Sequence, residues 1–302
     1  MAVLLLSDVV DEFLLYLGSV RSLSGNSIAA YRNDLAHLMG VLGRDAELRC
    51  ITTEDLRFCV AKLSAEKKAS SSVNRFIAAV RTFFAYCRKF SYVKINPALE
   101  LHTVKLPKHM PRYLTSPEID KLCRLPEEQE LLWETRDKAL FEMMYSSGCR
   151  VSEIVSLRLG DLMNGNSSAI VRGKGNKERP VYFEQEARTA LSAYLADRKK
   201  RFSLHGTADR CPYVFVNQKG GPLTTGGVRY ILTRYTGEEG LKFHVSPHAI
   251  RHTFATAMLA NGADVRMVQE FLGHSSISTT QRYTHITTAR LIDIYNKAHP
   301  HG

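Results

Sequence analysis

Val73-Asn-Arg-Phe-Ile-Ala-Ala-Val-Arg-Thr-Phe-Phe-Ala-Tyr-Cys87 sets Val73, Phe76, Ile77, Val80, Phe83, Phe84 and Cys87 on one stripe at the 3.6-residue period of an amphipathic helix. Its aromatic residues read as core packing, not as a ligand box. Three weaker stripes precede it. Val10, Phe13, Leu14 and Leu17 follow Ser7, a suitable cap. Ile28, Tyr31, Leu35, Leu38 and Met39 follow a Gly25-Asn26 break, and Leu56, Val60 and Leu63 follow Thr53. Four helices of roughly 12–18 residues with short polar breaks predict a small bundle. C-terminal to the stripe, Pro97, Pro107, Pro111 and Pro117 exclude helix. The expected division is a helical domain over 1–104, a linker over 105–114 and a second domain over 115–302. Lys105, Lys108, His109 and Arg112 in this stretch suit either a strap along phosphates or a solvated linker.

The second domain opens at Thr115-Ser-Pro-Glu118, a capping-box arrangement, and helical stretches follow through Met144, ended by Gly148. Ala169–Arg172 and Arg179–Phe183 flank a polar tip, Gly173–Glu178, and predict a β-hairpin. Helix resumes over Gln185–Leu195, Pro212–Val216 suggests a short strand, and Thr225 caps a helix to about Tyr235. Two further helices span Ser246 to Gly262 and Asp264 to Gly273. The fold class is therefore mainly α with a small antiparallel sheet. A doubly wound sheet is excluded, since strands and helices do not alternate.

Composition supports two globular domains. The 302 residues are 44% hydrophobic and 24% charged, which excludes a disordered chain. Ala2–Leu6 is too short to span a bilayer, and the start lacks a basic region and a cleavage signal, so a cytoplasmic protein without membrane contact is expected. Cys50, Cys59, Cys87, Cys123, Cys149 and Cys211 show no Cys-x-x-Cys spacing, so neither a disulfide framework nor a zinc site is expected. The net charge is +11. Residues 1–110 carry 15 basic and 10 acidic side chains and the remainder 26 and 20, so the excess is not a tail. Two basic domains can share one polyanion, although charge alone also serves solubility.

Four places can carry chemistry. In Ser246-Pro247-His248-Ala-Ile-Arg251-His252, a capped helix start brings His248 and Arg251 to one face, suited to a phosphate or simply to solvent. His248 and His252 could pair on a metal, but the Glu of a His-Glu-x-x-His site is missing and no third ligand is indicated. Arg150 follows the Gly148 break, where a guanidinium fork can meet two phosphate oxygens. Lys174 sits in the hairpin tip, where it reaches a ligand groove or water. Tyr283, nine residues after His274, stands among Gln281, Arg282, Thr284 and His285, unlike a core aromatic. A phenol near pKa 10 becomes a nucleophile only beside cations.

Arg150, Lys174, His248-x-x-Arg251, His274 and Tyr283, in this order, resemble the signature of the tyrosine recombinase (phage integrase) family. Gly148-Cys-Arg-Val-Ser-Glu, Gly173-Lys-Gly-Asn-Lys-Glu-Arg, Leu272-Gly-His-Ser and Ala298-His-Pro300 are similar to its Xer branch. The resemblance covers nearly the whole chain and implies a core-binding front bundle (SAM-like) and a catalytic rear domain closing on duplex DNA. It implies that Tyr283 forms a 3′-phosphotyrosyl link while Arg150 and Arg251 hold the phosphate. Lys174 would protonate the leaving oxygen, and His248 and His274 would orient the phosphate and tyrosine or handle its proton. No metal or cofactor is implied. A homo- or hetero-tetramer on two sites is implied, together with a role in chromosome partition and cell division. A second recombinase and a DNA translocase are conceivable partners. The tail helix, with Leu291, Ile294 and Tyr295, would pack into a neighbouring subunit. Rival readings are a mobile-element integrase, a type IB topoisomerase and a catalytically dead DNA-binding regulator.

Overall fold

The computed structural model describes residues 3–106, 113–129, 131–173, 177–204, 211–237, 245–273, 295 and 297–299. Contacts divide the chain into two compact units, 1–109 and 110–302.

In the first unit the helices α1 (Leu6–Ser19), α2 (Gly25–Leu42), α3 (Thr53–Ala65) and α4 (Ser70–Lys89) bury the stripes read from the sequence. Phe13, Phe76, Phe83, Phe84 and Cys87 are almost fully enclosed. Two expected boundaries are corrected. Ser7 does not cap α1. The helix starts from Leu5, and the Leu6 and Ser7 N–H groups donate to the carbonyls of Ala46 and Arg44, so distant backbone does the work of a cap. Gly25 and Asn26 do not break the chain but form the first turn of α2, capped by Ser24, whose Oγ accepts from the Ser27 N–H at 3.3 Å. Residues 96–104 return along α4. Asn96 Nδ2 donates to the Arg81 carbonyl, Arg81 donates to the carbonyls of Ala98 and Leu101, and Asn74 exchanges two hydrogen bonds with the Val104 backbone.

The second unit is built around α6 (Glu134–Ser147), which is buried from Arg136 to Ser147 except at Lys138. A helix enclosed on all sides carries polar groups only where they are paired. Accordingly, Asp137 accepts from Arg136 Nε, the Tyr235 hydroxyl and the Trp133 N–H. Around α6 pack α5 (Ser116–Gln129), α8 (Gln185–Leu204) and α10 (Pro247–Ala260). Thr115 meets Glu118 as expected, with its N–H and hydroxyl both donating to Oε2.

The hairpin forms as β2 (Ser168–Arg172) and β3 (Glu178–Tyr182), antiparallel, with Ile170 opposite Pro180. Pro180 lies on the edge strand, where a missing N–H costs no ladder bond. β1 (Leu162–Met163) adds a third strand, too short for a sequence pattern. Pro212–Val216 is not a strand. Val214 N–H donates to the Leu157 carbonyl while the Phe215 carbonyl accepts from Leu223, so partners on two sides replace a ladder. Helix α8 runs nine residues past the expected Leu195. Helix α9 (Thr225–Thr236) is capped by Thr224, not Thr225. Ser246 caps α10, as read from the sequence, and Asp264, expected as the start of the next helix, is the cap of α11 (Val265–Leu272). All six cysteines are free.

Tyr295 overturns the expectation for its part of the tail, since it lies in the core of its own unit, 2% exposed. Its hydroxyl is 2.8 Å from Ser146 Oγ and donates to the Ser146 carbonyl at 2.9 Å. Leu291 and Ile294 lie outside the described residues.

Candidate active site

Arg150 stands at the N-terminal end of α7 (Val151–Ser156), straight after the turn that closes α6. Gly148 makes that turn in the left-handed conformation, φ 58°, and a Cβ there would meet Phe254 Cδ1 at 2.3 Å. Only glycine fits both demands. From this start, Arg150 N–H donates to Glu153 Oε2 at 2.8 Å and Nη1 to Oε1 at 2.9 Å, so one carboxylate fixes both ends of the arginine. Its Nη2 points to the Gly273 carbonyl, 3.3 Å away.

Arg251 lies on α10 one turn after His248 and is 9% exposed. Its Nη1 donates to the Gly148 carbonyl at 2.8 Å and its Nη2 to the Leu272 carbonyl at 2.7 Å. Carbonyls at a helix C-terminus lack intrahelical donors and carry partial negative charge. The ends of α6 and α11 thus hold Arg251, and the consecutive residues Leu272 and Gly273 receive one arginine each. No carboxylate bonds to Arg251 among the described residues. Burial, followed by repulsion from Arg150, lowers its guanidinium to about 10, still cationic at neutral pH. An anion seated here would offset that repulsion.

Two participants escaped the sequence reading. Glu153 is 2% exposed, and its Oε2 also accepts from Arg179 Nη2 at 2.7 Å. Arg179, on β3, shares its strand face with Val181 and reaches Glu153 across 26 residues. Arg150-x-x-Glu153 was visible as an i,i+3 pair, whereas only the hairpin register could have flagged Arg179. Two guanidiniums therefore share the Glu153 carboxylate while Arg251, held by carbonyls, stays close enough to feel both charges, an arrangement suited to binding and polarising a phosphodiester.

Lys174, His274 and Tyr283 lie outside the described residues, but the neighbours of the first two are placed. A Cβ on Gly173 would be 3.3 Å from Glu153 Oε1 and 4.0 Å from Arg150 Nη1, so the hairpin end borders the same pair. Gly273, φ 63°, closes α11 against Arg179. His248 is exposed in the first turn of α10. His252, also exposed, meets the Tyr113 ring edge-on at 6.1 Å. Among the described residues no three His, Cys, Asp or Glu side chains gather as a metal site, and no helix is long and apolar enough to cross a membrane. Tyr295, the other tyrosine of the tail, is ill placed for attack on a phosphate. Burial drives its phenol well above the ordinary range, and its hydroxyl is held by Ser146.

Residues 112–290 match the phage integrase family, and residues 10–89 match the N-terminal SAM-like domain of phage integrases. The chain is 40% identical to tyrosine recombinase XerC of Treponema denticola, over 98% of this chain and 100% of that protein. It is 37% identical to tyrosine recombinase XerD of Lacticaseibacillus casei, over 97% and 99%. Among solved structures, the Tn1549 transposon integrase in complex with transposon right end DNA aligns with a TM-score of 0.73 at 17% identity, over 97% of this chain and 99% of that one. A λ integrase dimer bound to a core site aligns at 0.71 and 18% identity, over 94% and 100%.

Proposed function

Because the chain belongs to the phage integrase family of tyrosine recombinases, enzymes that cut and rejoin DNA, we propose that it performs site-specific recombination of the Xer type, with Tyr283 as nucleophile. The observation that carries the reading is the pair Arg150 and Arg251, held side by side on the Leu272 and Gly273 carbonyls, with Arg251 hydrogen-bonded to no carboxylate among the described residues. The Tyr283 phenolic oxygen attacks the scissile phosphorus. The bond from phosphorus to the 5′-oxygen breaks, leaving a 3′-phosphotyrosyl link, and Lys174 gives a proton to the departing oxygen. Arg150 and Arg251 bind the nonbridging oxygens and stabilise the charge that develops there. His248 and His274 orient the phosphate and the tyrosine, one of them taking the phenolic proton. A 5′-hydroxyl from a second duplex then attacks the phosphotyrosine and restores a diester, so the energy of the cut bond is conserved without a nucleotide cofactor.

Exchange between two duplexes cuts four strands, and four nucleophiles imply a tetramer on two sites. The XerC and XerD relatives support a role in resolving chromosome dimers in the cytoplasm. A second recombinase as partner and a DNA translocase as regulator fit that role. The test is capture of covalently attached genomic fragments in cells, followed by exchange between two copies of the recovered site. A recurrent chromosomal site that recombines supports the proposal. Relaxation of supercoils without exchange would favour a topoisomerase, and failure to form any adduct would favour a DNA-binding regulator.

A further inference from the structure

Arg179 makes a single described hydrogen bond that reaches the site, from Nη2 to Glu153 Oε2 at 2.7 Å. Its Nε and Nη1 are sealed from water, with the buried Cys149 thiol, a weak acceptor, beside the guanidinium and no oxygen or nitrogen acceptor for either atom among the described residues. Burying donors in this way costs stability, so packing alone would be better served by an apolar side chain. The charge balance supplies a reason for the arginine. Glu153 is 2% exposed and bonds Arg150 at both its backbone N–H and Nη1. With Arg150 as its sole partner, Glu153 would offset the field of that guanidinium at the site and draw its fork away from Gly273.

We propose that Arg179 is a positioning residue of the DNA-cleavage site: by occupying Glu153 Oε2 and offsetting its charge, it leaves the positive charge of Arg150 uncompensated and its fork turned toward the substrate phosphate. The same side chain braces the α11 end, where a Cβ on Gly273 would come within 2.6 Å of Arg179 Nε. This inference rests on the recombinase reading of Arg150.

The test measures single-turnover cleavage of a nicked site at saturating DNA, with the folded fraction followed by Trp133 fluorescence. Arg179→Gln lowers the rate per folded molecule tenfold or more, and Arg179→Lys recovers part of it. Adding Glu153→Gln to Arg179→Gln removes the uncancelled carboxylate, so the double variant cleaves faster than Arg179→Gln alone. A substrate with a neutral methylphosphonate at the scissile position needs less positive charge and narrows the Arg179→Gln defect. A merely structural arginine would lower the folded fraction without these two rescues. A rate within twofold of the parent for Arg179→Gln, or a double variant no faster than Arg179→Gln, overturns the inference while leaving the function intact. Normal cleavage by an Arg150→Ala control overturns the recombinase reading and this inference with it.

Discussion

Replacing Tyr295 by alanine should unfold the second unit more easily without touching the first. Tyr295 is 2% exposed, and its ring lies 5.7 Å from Tyr182, 6.0 Å from Phe271 and 5.1 Å from His299. Truncating a large buried aromatic costs about 3–5 kcal/mol, from lost transfer energy and the cavity left behind. The hydroxyl adds its two contacts to Ser146, at about 1 kcal/mol per hydrogen bond. Tyr295→Phe should therefore cost about 1–2 kcal/mol and Tyr295→Ala about 3–5 kcal/mol. For a unit of this size each kcal/mol lowers Tm by roughly 2–4 °C, so the alanine variant should melt some 10 °C lower. The assay is direct, because Trp133 is the single tryptophan of the chain and is buried in the second unit. Its fluorescence in thermal and urea unfolding, without DNA, reports that unit alone. Cutting the chain after His285 should cost at least as much, since Ala298 and His299 are also buried there. A change below about 1 kcal/mol in Tyr295→Ala would show that the tail does not dock on its own unit in solution, and packing into a neighbour would regain its place.

Arg150→Ala and Arg251→Ala should each slow cleavage by about 100–1000-fold, roughly 3–4 kcal/mol of transition-state stabilisation. Lys174→Ala should fail for want of a proton, so a 5′-bridging sulfur, a leaving group needing no acid, should rescue it and not Arg150→Ala. Equal rescue of both, or of neither, contradicts this division of roles. A third expectation concerns pH. Burial, then the charges of Glu142 and Glu186, raise the Glu184 carboxyl from 4.5 to about 8, with His299 Nδ1 3.7 Å from its Oε2. Between those values the folded unit keeps a proton that the unfolded chain has released. Its stability should therefore fall as pH rises through that window, by at most about 1.4 kcal/mol per pH unit. Glu184→Gln should flatten the Trp133-detected profile, and an unchanged slope would show that another group controls it.

What was legible in the sequence is what depends on local periodicity. The stripe from Val73 to Cys87 became α4, and the Ala169–Phe183 pattern became the β2–β3 hairpin. Capping was legible where one residue acts alone, as at Ser246. It failed at Ser7 because the first α1 amides are met by carbonyls nearly 40 residues away. Pro212–Val216 misled for a similar reason, since the backbone of this short apolar run is met by partners on two sides and not by one neighbouring strand. At the site, Arg150, His248 and Arg251 stood out by type and spacing. The Glu153–Arg179 pair did not, because the packing of α7 against the hairpin, not sequence distance, joins them. Tyr295 was legible as apolar and tail-borne, but its destination was not, since one buried stripe suits either its own unit or a neighbour.

The most direct measurement is the identity of the residue joined to DNA after reaction with a nicked recombination site, read by mass spectrometry of the protease- and nuclease-trimmed adduct. The account predicts a nucleotide on Tyr283, and no adduct from Tyr283→Phe, which should still bind the site because it loses only the phenolic oxygen. An adduct carried by another residue, or one that persists in Tyr283→Phe, would contradict it.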